Sequence, residues 1–122
     1  MQARPFSMQV RHEDDVAIID LHGEINAFAE AALNSGYAEA DGTQPDVILL
    51  NFTDVSYINS TGIALIVSLL ARARASKRRL LACGLSAHYV EIFTITRLAD
   101  FMTVFPNESS ALQTTAVTDS TA

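Results

Sequence analysis

The chain has 122 residues, 49% of them hydrophobic, and a formal net charge of −6. That suffices for one domain with one sizeable core and excludes disorder of the whole. The acidic balance argues against nucleic acid or an anionic membrane surface as the main partner. Cys83 is the only cysteine, which excludes an intrachain disulfide and a cysteine metal cluster. His12, His22 and His88 lack zinc-ligand spacing, so no cofactor is implied.

Residues 1–10 lack the apolar run of a signal peptide. The apolar stretch 63–71 is too short to cross a bilayer and contains Ser68. A cytoplasmic protein without membrane insertion is expected. Residues 8–12 and 16–21 read as strands joined by the charged turn Glu13-Asp14-Asp15, a hairpin whose second strand Gly23 ends. Asn26 is placed to cap the next helix, with Phe28, Ala32, Leu33 and Tyr37 on its apolar face. After the loop Asp41-Gly42-Thr43-Gln44-Pro45, residues 47–52 are apolar without alternation, as in a central parallel strand covered on both faces. Residues 53–58 connect to Asn59-Ser60-Thr61-Gly62, where a helix starts and runs to about Ser76. Ser60 is its expected N-cap. Arg79–Cys83 is the next strand, ended by Gly84. Ser86 caps a helix through Ile95, with Val90 and Phe93 inward. Residues 101–105 form a last strand stopped by Pro106, and Asn107 caps a final helix through about Gln113. Residues 1–113 thus read as one domain. Residues 114–122, rich in Thr, Ser and Ala, read as a disordered tail.

The order β-β-α-β-α-β-α-β-α implies an α/β fold with a mixed, mostly parallel sheet of about five strands and four helices, joined by right-handed crossovers. Working sites in such folds sit at the carboxyl ends of the strands. Ser60 lies at that end, beside the unpaired N–H groups and the positive pole of a helix, where a phosphate would find donors in place.

At 100° per residue, Ile63, Ile66, Val67 and Leu70 share one side of this helix, and Thr61, Ala64, Leu65, Ser68 and Arg72 the other. The second side carries no charge before Arg72. It reads equally as a surface that a partner covers or as a helix packed on two sides within the fold. Arg72, Arg74, Lys77, Arg78 and Arg79 are five of the eight basic residues. They read first as a solvated helix end complementing the dipole, and second as a docking patch for an acidic partner. An enzyme with Ser60 as nucleophile is disfavoured by the lack of a Gly-x-Ser-x-Gly elbow, although His22 and His88 flank strand ends. Nucleotide binding is disfavoured by the lack of a P-loop lysine.

The element order, the segment Leu21-His22-Gly23-Glu24-Ile25-Asn26 and the segment 54–63 with its Asn59-Ser60-Thr61-Gly62 core resemble the STAS-domain family of bacterial anti-sigma-factor antagonists. Leu98-Ala99-Asp100-Phe101 and residues 106–112 resemble that family's closing strand and helix. The resemblance covers about residues 8–113. It implies a partner-switching module that binds an anti-sigma factor, often a serine kinase of the ATP-binding type, when unphosphorylated. The kinase ends that binding by phosphorylating a serine, here Ser60, and a metal-dependent serine phosphatase restores it. The implied partner surface includes Thr61, Gly62 and the outer helix face, Thr61, Ala64, Leu65, Ser68 and Arg72. A dimer is compatible with this reading. The family also occurs as non-phosphorylated interaction subunits of stress-sensing assemblies and lipid transporters, the alternative function. Two positions depart from the family pattern, which has Asp where this chain has Asn26 and Asn59. Each change removes a carboxylate and keeps its shape, so regulation at Ser60 is expected to be altered.

Overall fold

The computed structural model describes residues 4–120, with side chains as far as Thr115. A five-stranded sheet carries the strands in chain order: β1 (Ser7–Glu13), β2 (Val16–Ile25), β3 (Val47–Ile58), β4 (Arg79–Cys83) and β5 (Thr103–Phe105). The β1–β2 hairpin is antiparallel and the other pairs are parallel. The connections are α1 (Glu30–Asp41), α2 (Ser60–Ala75) and α3 (Ala87–Ile95), and α4 (Glu108–Ser120) closes the fold. The expected class and order are those observed.

Both faces of the central strands are buried, which is why residues 47–50 show no alternation. On one face Ile19, Leu21, Leu50 and Phe52 pack against Leu33, Tyr37, Ile66, Leu69 and Phe93 from the first three helices. On the other, Ile18, Leu49, Leu81 and Cys83 meet Phe105 of β5 and, among the described side chains, Ala111 and Leu112 of α4. That apolar contact is supplemented by charge. Arg11 holds Asp20 through two bonds, at 2.5 and 2.9 Å, and reaches Glu108 of α4 at 2.6 Å. These charge-assisted pairs fasten the helix to the hairpin.

Several expectations are corrected. Gly23 does not end β2, which runs on to Ile25 with register shifts on either side of it. Its φ of +86° and the carbonyl of Pro5, which a Cβ would approach to 2.3 Å, explain the glycine. Residues 53–58 are not a connection but the second half of β3. That half outruns β4, whose pairing stops at Asn51, and is laddered to β2 alone. The strand alternates poorly there because only one neighbour and one face cover it. Phe28 is 95% exposed, because a 3-10 turn, Ala27–Ala29, precedes α1 and points it outward. On α3 the inward aromatic neighbour of Phe93 is Tyr89, and Val90 faces solvent. Phe101 lies outside the last strand and is exposed. The segment expected as a tail is helical as far as Ser120, with Thr115 buried. Thr121 and Ala122 lie outside the described residues.

Candidate functional site

The extended half of β3 and the end of β2 form a two-stranded arm that delivers the chain to the start of α2. Tyr89 fastens this arm from α3. Its hydroxyl accepts the Ile58 N–H at 2.8 Å and lies 3.4 Å from the Ile58 carbonyl. The next residue, Asn59, donates its N–H to the Ile25 carbonyl at 3.2 Å. Gly62 presses on that same carbonyl so closely that a Cβ would lie 2.1 Å from its oxygen. The first turn of α2 is therefore seated on the end of β2, which requires a residue without a side chain at position 62.

The N-cap of α2 is Asn59, not Ser60. Asn59 is extended (φ −92°, ψ −177°) and its side-chain oxygen accepts the Gly62 N–H at 2.8 Å. Its own carbonyl accepts the Ile63 N–H. Ser60 is the first helical residue, exposed, and its hydroxyl makes no hydrogen bond among the described residues. The N–H groups of Ser60 and Thr61 also carry no hydrogen bond among the described residues. Two donors at the positive pole of a sixteen-residue helix thus flank an unengaged hydroxyl.

Asn26 has the same role at the end of β2. It caps the turn Ala27–Ala29 by accepting the Phe28 N–H at 3.0 Å. Both asparagines are thus backbone acceptors that an aspartate would replace with equal geometry and one more negative charge. The turn that Asn26 caps packs against α2. Asn26, Asn59, Ser60, Thr61 and Gly62, expected to form one neighbourhood, are brought together around the Ile25 carbonyl.

The outer face of α2 differs from the expectation in three places. Thr61, Ala64 and Ser68 are exposed as expected. Leu65 packs against the core, and Val67 takes its place outside, 45% exposed. The buried stripe is Gly62, Ile66, Leu69, Leu70 and Ala73, because α1 and the turn before it pack on the helix and cover a wider arc than the sheet alone. Arg72 turns towards α1, with its guanidinium 4.4 Å from the Tyr37 ring and donating to Asn34. It fastens two helices and stands about 18 Å from Ser60 along the axis at 1.5 Å per residue.

Neither histidine near the strand ends serves Ser60. The Nδ1 of His22 is 2.8 Å from Asp54, which Arg4 also holds at 3.0 Å. The His22 contact, then Arg4, keeps the Asp54 carboxyl below its usual range. His88 lies edge-on to Tyr89. Among the described residues no group of three or more His, Cys, Asp or Glu could hold a metal ion, and no helix is long and apolar enough to cross a membrane. Sequence reasoning missed Phe28 and Tyr57, two exposed aromatic side chains on the segments leading into the site. The apolar character of Phe28 suggested burial, and only the Asn26 signal for a turn could have warned otherwise.

The STAS domain model matches residues 7–111. The chain belongs to the STAS-domain family. This STAS domain is 27% identical over 99 residues to the anti-sigma-B factor antagonist of Listeria monocytogenes, covering 80% of this chain and 87% of the relative. It superposes on an anti-sigma factor antagonist from Mycobacterium paratuberculosis with TM-score 0.74 at 17% identity, over 90% of this chain and 93% of that one. The phosphorylated form of the Bacillus cell-fate determinant SpoIIAA matches with TM-score 0.69 at 20% identity, over 89% and 99% of the two chains. These likenesses to solved structures are of fold.

Proposed function

We propose that this STAS domain is an anti-sigma-factor antagonist, a cytoplasmic, non-enzymatic binding module that works by partner switching. Unphosphorylated, it binds an anti-sigma factor that is also a serine kinase of the ATP-binding type. Phosphorylation of Ser60 ends that binding, and a serine phosphatase restores it. The observation that carries this reading is the Ser60 hydroxyl, exposed at the first position of α2 and left unengaged because Asn59 makes the cap. A kinase can take its proton and add a phosphoryl group without dismantling the helix start.

The consequence of the phosphate follows from its surroundings. It would bring about −1.5 to −2 charges to the edge of a surface formed by Thr61, Ala64, Val67 and Ser68. The sequence has no Lys or Arg between Arg11 and Arg72, and Arg4, which shares a hollow with Asn26 and Phe28, is already held by Asp54. Covering an unpaired phosphate with a partner is costly, which supports its role as the off state. Phe28 and Tyr57 are the aromatic groups best placed to anchor the partner in the on state.

Asn26 and Asn59 favour a second reading. Their neutral side chains cap without charge, and a kinase that recognises carboxylates at these places would pass this protein by. The chain would then be a constitutive interaction subunit of a stress-sensing assembly or lipid transporter. The test is incubation of the purified protein with ATP, magnesium and a candidate anti-sigma-factor kinase from the same genome, followed by intact and peptide masses. One phosphate on Ser60 with loss of kinase binding supports the switch. Binding without phosphate supports a constitutive antagonist. Neither result with this or any other such kinase favours the subunit. Asn26→Asp combined with Asn59→Asp is expected to change the phosphorylation rate, and an unchanged rate and partner affinity would remove both asparagines from regulation.

A further inference from the structure

We propose that the C-terminal end of α2 is a second docking surface, which takes an acidic amphipathic helix from a partner protein. It extends from about 10 to about 21 Å along the helix from Ser60, at 1.5 Å per residue, meets the Ser60 surface at Val67, and does not depend on the Ser60 reading. Val67, Leu70, Ala71, Arg74 and Phe101 line an open apolar hollow of about 320 Å³. Phe101 is 57% exposed, and the Arg74 guanidinium lies 5.0 Å from its ring centroid.

The basic residues of the chain are unevenly paired. Arg4 pairs with Asp54, Arg11 with Asp20 and Glu108, Arg78 with Asp41, and Arg97 with Asp100. The other four basic residues, Arg72, Arg74, Lys77 and Arg79, make no ion pair among the described residues, and all fall within one short stretch. Acidic residues outnumber basic ones 14 to 8, so composition does not explain why these four go unpaired. Complementing the helix dipole accounts for Arg72 and Arg74 in the last turn. It accounts for neither Lys77 nor Arg79 beyond the helix, nor for the Phe101 ring left in water beside Arg74. An apolar hollow with Arg74 in its lining and Lys77 tied to the same helix end through the Arg74 carbonyl matches a helix whose apolar residues at i, i+3 and i+4 are flanked by Asp and Glu.

The test titrates the full chain, followed by amide NMR shifts, with an amphipathic leucine-and-glutamate helical peptide and with its lysine-for-glutamate counterpart. Expected are saturable shifts at Val67, Ala71, Arg74 and Phe101 with the acidic peptide only, weakening as salt is raised. Arg74→Glu with Lys77→Glu is expected to weaken binding by about tenfold or more, and Phe101→Ala to weaken it at low and high salt alike. Both variants should keep the wild-type amide pattern elsewhere. Equal binding of the lysine peptide, or shifts confined to the Ser60 end, overturns the proposal. So does sedimentation showing a dimer that Phe101→Ala dissolves, because a second copy then covers the hollow. Binding to phosphatidylglycerol vesicles lost in the charge-reversed variant overturns it in favour of a membrane.

Discussion

Gly62→Ala sets two physical effects against each other. Helix propensity alone favours alanine by about 1 kcal/mol in a helix interior, less in the first turn. Against that stands the Ile25 carbonyl, whose oxygen would lie 2.1 Å from the new Cβ, with the Ile25 carbonyl carbon and Ile58 Cγ2 both at 2.9 Å. Two of these three are backbone atoms of a paired strand, so no flexible side chain can swing clear. The start of α2 must retreat from β2 by about 1 Å, within the usual cost of about 1–3 kcal/mol for overpacking. The retreat also stretches the Asn59 N–H bond to Ile25, already 3.2 Å long. The expected net loss is about 1–2 kcal/mol, or about 3–10 °C in melting temperature for a chain of this size. Urea unfolding gives the free energy, and amide exchange at Asn59 and Ser60 reports whether the helix start has loosened. Equal or greater stability in Gly62→Ala, with unchanged exchange at those amides, would refute the seating of α2 on β2.

Three further outcomes follow from the same geometry. Asn59→Ala should cost about 1 kcal/mol in thermal or urea unfolding, Asn59→Asp little or nothing, and Ser60→Ala less than about 0.5 kcal/mol, because the cap belongs to Asn59. A larger loss in Ser60→Ala than in Asn59→Ala would return the cap to the serine. Tyr89→Phe leaves the buried Ile58 N–H without its 2.8 Å acceptor, which should cost about 1–3 kcal/mol in urea unfolding and speed exchange at Ile58. Hydrogen bonds from Arg11, and less so Asn51, outweigh burial and hold the Asp20 carboxyl below its ordinary value. Its stabilising contribution is therefore complete above about pH 4, the unfolded value, and lost as pH falls further through the folded one. Unfolding free energies across the acid range should show the gap between wild type and Asp20→Asn closing as pH falls, and a constant gap would contradict the Arg11–Asp20 pairing.

The order of elements was legible in the chain alone, because helical and strand periodicities differ and each break carried its own signal. Arg79–Cys83 and the α3 cap at Ser86 were legible to the residue, since a short apolar run ending in Gly84 and a serine before a helical period are local chemistry. The neighbourhood of Ser60 was legible for the same reason, and so was its place at the carboxyl end of a central strand. What a side chain faces depends instead on the packing of distant elements. Periodicity assigns a helix two sides, but α2 is packed by α1, the turn before it and the sheet, so Leu65 turned inward and Val67 outward. Asn59 and Ser60 are both good caps by composition. The choice fell to Asn59 because its N–H is tied to the Ile25 carbonyl, which fixes its backbone as extended one residue before the helix begins. Phe28 and Phe101 left the core because the turns that hold them point outward, a matter of backbone direction that hydrophobicity cannot encode. Pairing of charges is likewise a fact of distance. The sequence shows five basic residues together, and only the folded chain separates Arg78, engaged by Asp41, from the four that meet no carboxylate among the described residues.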